Sequence, residues 1–316
     1  MNQPICPESL DISLIDFEDF SYSISPDREI IRDESVEKSI TRHGILHPPI
    51  VKKKHTKSYV IVAGRKRISA YRSIFFPENK SCYCMIIPAQ TPEINVFSIL
   101  LEENLTNRQL TPIEKAIFLR KISPLTDEKH IAKAFLPRLG LPPNPYYIKQ
   151  STMLLDLEEP IIRAIHQGLI NEKVTREIAS LSAEDRLAVF HVISSLHPSA
   201  SNQKKLIDIC RELASRDNSS IAAILEDKET RNILNHQEAN PPQKTKNLMN
   251  WLFRKYMPRS SHAADEFKRF AASMHFPENV SMTHTPFFED DSVTLSINFS
   301  NKKSVQNAWK KIKNTV

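Results

Sequence analysis

The chain has 316 residues, a net charge of +6 and a pI near 9.0, and 40% of its residues are hydrophobic. This composition is typical of a globular protein with two or three domains and excludes a largely disordered chain. The apolar runs are too short to cross a bilayer, and the opening residues lack the segments of a secretory signal. P-loop and Rossmann glycine motifs do not occur, which excludes those nucleotide-binding classes.

The charge is unevenly distributed along the chain. The first 20 residues contain five acidic side chains and no Lys or Arg, so the remainder is strongly basic. The basic charge of the remaining residues favours a polyanionic partner. The acidic segment is predicted either to dock a protein or to be a solvated tail. The four cysteines form no CxxC pair, and we interpret them as reduced residues of a cytoplasmic protein.

The first part of the chain alternates between helical and strand patterns. The predicted elements are a helix at 33–43, strands at 50–51 and 59–62, a helix at 65–74, a strand at 82–87 and a helix capped by Thr91. Asp33 is a suitable N-cap and Gly44 a suitable stop for the first helix. The alternation predicts an α+β domain with a small mixed sheet over residues 21–110, behind an acidic tail at 1–20.

Helical patterns then continue for more than a hundred residues, starting with a capping box at Thr111–Glu114. We predict an all-α domain over 111–235, in which two helices flank Gly140 as in a helix-turn-helix unit. The polar segment 236–245, with paired prolines, is a predicted linker. Residues 246–316, with two helices, an alternating strand and a final helix, are predicted to form a small α+β domain.

Three cations, Arg65, Lys66 and Arg67, follow Gly64 in the first turn of a predicted helix. A helix N-terminus has unpaired N–H groups and the positive end of the dipole, so cations there are unfavourable unless an anion offsets them. A phosphate-bearing ligand would supply that anion. The alternative is that the side chains extend into solvent.

A second polar cluster runs from Glu102 to Arg108, at the end of the helix that follows Thr91. Carboxylate and amide oxygens, here those of Glu103 and Asn104, suit Mg²⁺ beside a nucleotide. Arg108 could pair with a phosphate. An ordinary polar helix end would have the same composition.

The helix after Gly140 is the predicted recognition helix, since the second helix of a helix-turn-helix unit enters the major groove. If Ile148, Thr152 and Leu155 face the core, the side chains that face outward are those of Tyr146, Lys149, Gln150 and Met153. The candidate DNA-binding residues are Tyr146, Tyr147, Lys149, Gln150 and Met153. Gln can recognise adenine, Lys guanine and Tyr phosphate, although any helical hairpin would fit this pattern.

Taken in order, these segments resemble the ParB family of partition proteins. Three look like the boxes of its N-terminal domain, and a fourth looks like the stretch after its helix-turn-helix. They are Ser39–Val51, Ala63–Ala70, Glu103–Ala116, and Leu154–Pro160 with Ile165–Ile170. The terminal strand and helix are similar, more loosely, to the family's dimerisation domain.

This resemblance implies a homodimer, formed through residues 246–316, that binds double-stranded DNA at a centromere-like site. It implies that CTP and Mg²⁺ bind the N-terminal domain and close it into a clamp that slides on DNA. It also implies that the N-terminal tail contacts a ParA-type ATPase. Such a protein would be cytoplasmic, associated with the nucleoid and independent of membranes.

The chain departs from the family pattern at several positions. Arg65 stands where the second box usually has glutamate, and Ser25–Arg28 stands where a Gln-Pro-Arg sequence is usual. Asn107 occupies the usual arginine position of the third box, with Arg108 one residue later. Because the Glu and Gln positions are associated with hydrolysis in the family, we expect at most weak CTP hydrolysis.

Two alternative functions remain open. The same scaffold could serve a transcription regulator or a nucleoid-occlusion factor. A Mg²⁺-dependent nuclease is the other class, and for it only Glu102 and Glu103 are well placed.

Overall fold

The computed structural model describes residues 7–27, 33–54, 57–78, 80–285, 290 and 292–312. Contacts between Cα atoms divide the chain into two units, Met1–Leu181 and Ser182–Val316. Within the described residues, no helix is long and apolar enough to cross a membrane.

The first unit contains one five-stranded mixed sheet. Its strands are β1 (Pro7–Asp11), β2 (Ile15–Asp16), β3 (Ile50–Lys53), β4 (Tyr59–Ala63) and β5 (Ser81–Ile87). Their order across the sheet is β1-β5-β3-β4-β2. β3 is antiparallel to β4 and parallel to β5, and β1 is antiparallel to β5. The predicted α+β domain with a mixed sheet is therefore confirmed.

Eight helices complete the described part of this unit. They are α1 (Glu34–His43), α2 (Arg65–Phe75), α3 (Glu93–Asn107), α4 (Pro112–Ile122), α5 (Glu128–Ala134), α6 (Tyr146–Thr152), α7 (Glu159–His166) and α8 (Glu172–Ala179). Asp33 caps α1, and Thr111 and Glu114 form the predicted capping box of α4. The prediction that Thr91 caps α3 is wrong by one residue, because Pro92 is extended and is itself the N-cap.

The acidic segment 1–20 is not a free tail from Pro7 onward. All of β1 pairs with β5, and Ile12, Ile15 and Phe17 lie in the core beside the sheet. The tail prediction is wrong here because these apolar side chains alternate with the acidic ones. Burying the apolar atoms is favourable, at about 25 cal/mol per Å², while the carboxylates stay at the surface. Residues 1–6 of the predicted tail lie outside the described residues.

The core of the first unit is continuous from the sheet into the helices. Val60 and Val62 of β4 pack in the same cluster as Phe97 of α3, Phe118 of α4 and Ile148 of α6. The rings of Phe97 and Phe118 meet edge to face, with centroids 6.1 Å apart. The predicted boundary near residue 110 falls inside this unit and stays a prediction.

The second unit is a helical bundle followed by a hairpin and a helix. Its elements are α9 (Ala183–Leu196), α10 (Ala200–Arg216), α11 (Ile221–Leu225), α12 (Lys228–Asn235), α13 (Pro241–Tyr256), α14 (Pro258–Ser273), β6 (Val280–His284), β7 (Val293–Ile297) and α15 (Lys302–Ile312). Strand β7 was predicted and β6 was not; the two are antiparallel. Helix α13 begins inside the predicted linker 236–245, because Asn240 and Gln243 form a capping box around its first turn.

Asp19, in the loop after β2, tests whether this acidic segment stabilises the fold. Its carboxylate lies 2.6 Å from Lys54 Nζ and accepts a 2.9 Å hydrogen bond from the Ser21 N–H. Partial burial opposes ionisation, but these contacts outweigh it and lower the pKa of Asp19 from 3.8 to about 2.

Because its pKa is lower in the folded state, Asp19 stabilises the fold above about pH 4 and loses this effect as the pH falls toward 2. We expect Asp19→Asn to lower the free energy of unfolding at pH 7 by about 1–2 kcal/mol. The difference from wild type should shrink to near zero toward pH 2. Chemical denaturation across this range measures it, with Glu8→Gln on the exposed side of β1 as control. A deficit that persists at low pH would contradict a charge effect.

Candidate functional site

An open cleft of about 680 Å³ lies in the first unit, between the segment after β2, the start of α2, the end of α3, and helices α4 and α7. Six of the seven predicted nucleotide-binding residues line it: Gly64, Arg65, Lys66, Arg67, Asn104 and Arg108. The seventh, Glu103, contacts Arg67 with an Oε1–Nη2 distance of 2.7 Å. Residues from separate sequence segments are thus brought together around one cavity.

Gly64 shapes the rim of this cleft. Its φ of +81° lies in the left-handed region that favours glycine. A Cβ atom at this position would lie 3.1 Å from Pro49 Cα and 3.1 Å from Arg67 Nη2. A side chain here would therefore be strained and would crowd the first turn of α2.

Arg65 contacts the loop that forms one wall of the cleft. Its guanidinium donates to the carbonyl oxygens of Phe17, at 2.6 Å, and Asp19. It also lies over the Phe20 ring, 4.2 Å from the centroid. Burial lowers the pKa of Arg65, and the neighbouring carboxylates only partly oppose this effect.

The other two cations of the turn also have acceptors. Arg67 donates to the His47 carbonyl oxygen at 2.6 Å and to the Glu103 carboxylate at 2.7 Å. Lys66 Nζ lies 3.8 Å from the Asp33 carboxylate, and its side chain is 68% exposed. Lys66 is thus the most accessible of the three cations to an incoming anion.

The cleft is also lined by three residues that the sequence did not single out as site residues, namely Thr111, Glu114 and His166. Glu114 is almost fully buried, and Arg108 binds both of its oxygens, at 2.5 and 2.6 Å. Burial opposes ionisation of Glu114, but the hydrogen bonds from Arg108 and the Thr111 N–H lower its pKa overall. The Thr111 hydroxyl lies 3.0 Å from His166 Nδ1 of α7. The capping box was a visible signal, but no local signal pointed to His166.

The predicted metal ligands Glu103 and Asn104 lie near each other at the end of α3. The Asn104 amide donates to the Leu100 carbonyl oxygen at 2.8 Å, and Glu103 is paired with Arg67. In the described parts of the chain, no three His, Cys, Asp or Glu side chains converge as metal ligands would. Glu102, the other carboxylate of the nuclease hypothesis, forms an ion pair with Arg138.

Helices α5 and α6 flank Gly140, whose φ is +72°. Ile148 anchors α6 in the core, whereas Tyr146 and Met153 are 64% and 53% exposed. Lys149 is exposed as well. Three of the five candidate DNA-binding side chains are therefore accessible.

The remaining two, Tyr147 and Gln150, lie on the side of α6 that faces α8. The Arg176 guanidinium of α8 lies 5.5 Å from the centroid of the Tyr147 ring. Gln150 is half-buried, and its Oε1 atom is buried without a hydrogen-bond partner, so its expected outward orientation is not observed. The expected burial of Leu155 is also not observed: a 3-10 turn at Met153–Asp156 tightens the chain and buries Leu154 instead.

The chain is similar to proteins named nucleoid occlusion protein. The chain is 29% identical to the nucleoid occlusion protein of Lysinibacillus sphaericus over 157 residues, which are 49% of this chain and 50% of the relative. It is 31% identical to that of Halalkalibacterium halodurans over 160 residues, 49% of this chain and 52% of the relative. The chain thus matches about half the length of these curated relatives.

Two solved structures of Caulobacter crescentus ParB, both C-terminally truncated, share 20% sequence identity with the chain. The one complexed with CTP-gamma-S covers 60% of this chain and 99% of its own, with a TM-score of 0.25. The one complexed to the centromeric parS site covers 64% and 98%, with a TM-score of 0.36.

A family model matches the N-terminal part of the chain. Residues 7–104 match the model of the ParB N-terminal domain. The match starts where β1 starts and ends in α3, so it spans the whole sheet. It also includes the predicted nucleotide-binding residues from Gly64 to Asn104, but not Arg108. Over these residues the chain is similar to the ParB N-terminal domain.

Proposed function

We propose that this chain is a dimeric, sequence-specific DNA-binding protein of the partition class, in which CTP in the cleft regulates binding to a centromere-like site. The observation that carries the proposal is the cleft itself, where six predicted nucleotide-binding residues of the ParB N-terminal domain converge. Association with the nucleoid follows from DNA binding.

The chemistry of the cleft suits a nucleoside triphosphate. The first turn of α2 offers backbone N–H groups, the positive dipole end and three cations to the phosphates. The oxygens of Glu103 and Asn104 fit a Mg²⁺ ion that also binds phosphate, since Mg²⁺ prefers oxygen ligands and usually needs few from the protein. The metal would neutralise phosphate charge.

Nucleotide turnover has weaker support in this cleft. Arg65 cannot act as the general base that a glutamate at that position could be. Of the two carboxylates in the lining, Asp27 and Glu114, the latter is held by Arg108. At most weak CTP hydrolysis is therefore part of the proposal.

Nucleotide binding is tested by titration calorimetry on the full chain with CTP, ATP, GTP and UTP in Mg²⁺. We expect CTP to bind selectively, and Lys66→Ala and Arg67→Ala each to weaken binding about tenfold, since each removes a charge-assisted phosphate contact. Chelation of Mg²⁺ should weaken binding further. Lys38→Ala, an exposed cation on α1, is the control. Absence of binding by every nucleotide would overturn the nucleotide part of the proposal.

DNA recognition is assigned to α6, with Tyr146, Lys149 and Met153 accessible and Gln150 able to contribute if its side chain turns away from α8. The wild-type chain can first be used to select its site from random duplex DNA. We expect Lys149→Ala with Gln150→Ala to remove site discrimination, at about 1–3 kcal/mol for each lost base contact, and to leave salt-sensitive binding intact. Lys133→Ala on α5 is the matched control. Unchanged discrimination in the double variant would show that α6 is not the recognition helix.

Dimerisation is assigned to the C-terminal hairpin and α15. These elements expose large apolar side chains, namely Val293, Leu295, Val305 and Trp309. Deletion of 246–316, the cut suggested by the predicted domain boundaries, would also remove Leu248 and Leu252, which are buried in the second unit. A truncation after Met274 leaves that core intact.

We expect the chain truncated after Met274 to be a monomer by light scattering, and to bind DNA more weakly because two half-sites are then read independently. Leu295→Glu with Trp309→Glu should have the same effect in the full chain, whereas Ser296→Glu, on the other face of β7, should not. A dimer that survives the truncation would contradict this assignment.

A nucleoid-occlusion or regulatory role on the same scaffold is the second candidate, favoured by the names of the curated relatives. Genome-wide mapping of binding sites separates the two roles, since one cluster near an origin indicates partition and scattered sites indicate the alternative. Contact with a ParA-type ATPase also belongs to the proposal. From Pro7 onward it would use the exposed acidic edge of β1 rather than a free tail.

A further inference from the structure

The loop that forms one wall of the cleft, here called the cleft strap (Asp16–Tyr22), is held by cations from three elements. Lys54, just after β3, contacts the carboxylates of Asp16 and Asp19 at 3.0 and 2.6 Å. The Arg65 guanidinium of α2 binds two strap carbonyl oxygens and one strap ring. Beyond β2 the strap has no regular secondary structure, and it is held both by these contacts and by the burial of Phe17 and Tyr22 in the apolar cores.

The third cation comes from the helical part of the unit. Lys121 Nζ, near the end of α4, donates to the carbonyl oxygens of Phe20 at 2.9 Å and Ser21 at 2.6 Å. Helix α4 is rigidly placed, since Phe118, Leu119 and Ile122 are fully buried. It packs against α6, the predicted recognition helix. The strap therefore contacts both Arg65, which lines the cleft, and Lys121 of α4, the helix that packs against α6.

A ligand in the cleft would compete with the strap for Arg65. Arg65 is the first residue of α2 and lines the cleft where phosphates would meet the helix N-terminus. Bonds from a guanidinium to a phosphate are charge-assisted and roughly twice as strong as bonds to neutral carbonyl groups. An oligophosphate would draw Arg65 away, and the strap would lose two of the carbonyl contacts that hold it.

We infer that the cleft strap couples ligand binding in the cleft to the recognition helix, with Lys121 as the positioning residue that connects the strap to α4. The occupant is a nucleoside triphosphate or another oligophosphate, and only this identity rests on the proposed function. This coupling is reciprocal. If a ligand in the cleft changes the affinity of α6 for its own ligand, then a ligand bound at α6 changes the affinity of the cleft by the same factor.

The first test uses the full chain without any ligand, by hydrogen–deuterium exchange. Arg65→Ala releases the strap from the cleft side. We expect faster amide exchange at 17–22 and a change of about fivefold or more at 146–153. In a Lys121→Met background, Arg65→Ala should still act at 17–22 but no longer at 146–153, whereas Lys121→Arg should preserve both responses. This double-mutant cycle measures the connection directly.

Two results of this first test would overturn the inference. One is an Arg65→Ala variant that leaves exchange at 146–153 unchanged although exchange at 17–22 is faster. The other is an equal response at 146–153 with and without Lys121. Neither result depends on whether a nucleotide binds.

The second test adds CTP and Mg²⁺ to the wild type and to Lys121→Met. We expect similar calorimetric affinity within about threefold, because Lys121 does not line the cleft, with the exchange response at 146–153 lost only in the variant. If CTP does not bind, the proposed function fails and the ligand-free cycle still decides the inference. If CTP binds and the variant retains the full response at 146–153, the inference fails and the proposed function stands.

Discussion

Three cationic side chains in the first turn of α2, at the positive end of the helix dipole, are the electrostatic constraint around which the first unit is arranged. Each cation is offset by an acceptor from a different part of the chain: strap carbonyls for Arg65, Asp33 for Lys66, and Glu103 with His47 for Arg67. These acceptors bring the loop after β2, the start of α1 and the end of α3 to one place. The cleft lies between these segments.

The carboxylate of Glu114 is held in a related way from the other side of the cleft. A buried carboxylate is costly unless it is paired and fully hydrogen-bonded, and Arg108 with the Thr111 N–H meets this requirement. The capping box that starts α4 is therefore also part of the cleft floor. Because Phe118 and Ile148 belong to the same apolar cluster as the sheet, the cleft and the predicted recognition helix share one packed body.

Interpretation of the sequence succeeded where structure depends on local chemistry. The turn at Gly64, the caps at Asp33 and Thr111, and the residues of the two polar clusters were all visible in short segments. It failed where charge and burial compete over longer distances. The acidic start was interpreted as a tail although its apolar residues complete the sheet, and Gln150 was placed outward although α8 packs beside it.

The sequence by itself determined the alternation of elements, the pair of helices that flanks Gly140 and the identity of the residues that bind phosphate in the proposal. These depend on periodicity, capping and turn chemistry, which act within a few residues. Only the tertiary structure decided that Arg65 contacts the strap, that Arg108 pairs with Glu114 and that Lys121 reaches Phe20 and Ser21. The hydrogen bonds of Arg65 and Lys121 to the strap join residues 46 to 101 positions apart. At such separations the partner of a charged side chain is set by how the elements pack, which no local pattern specifies.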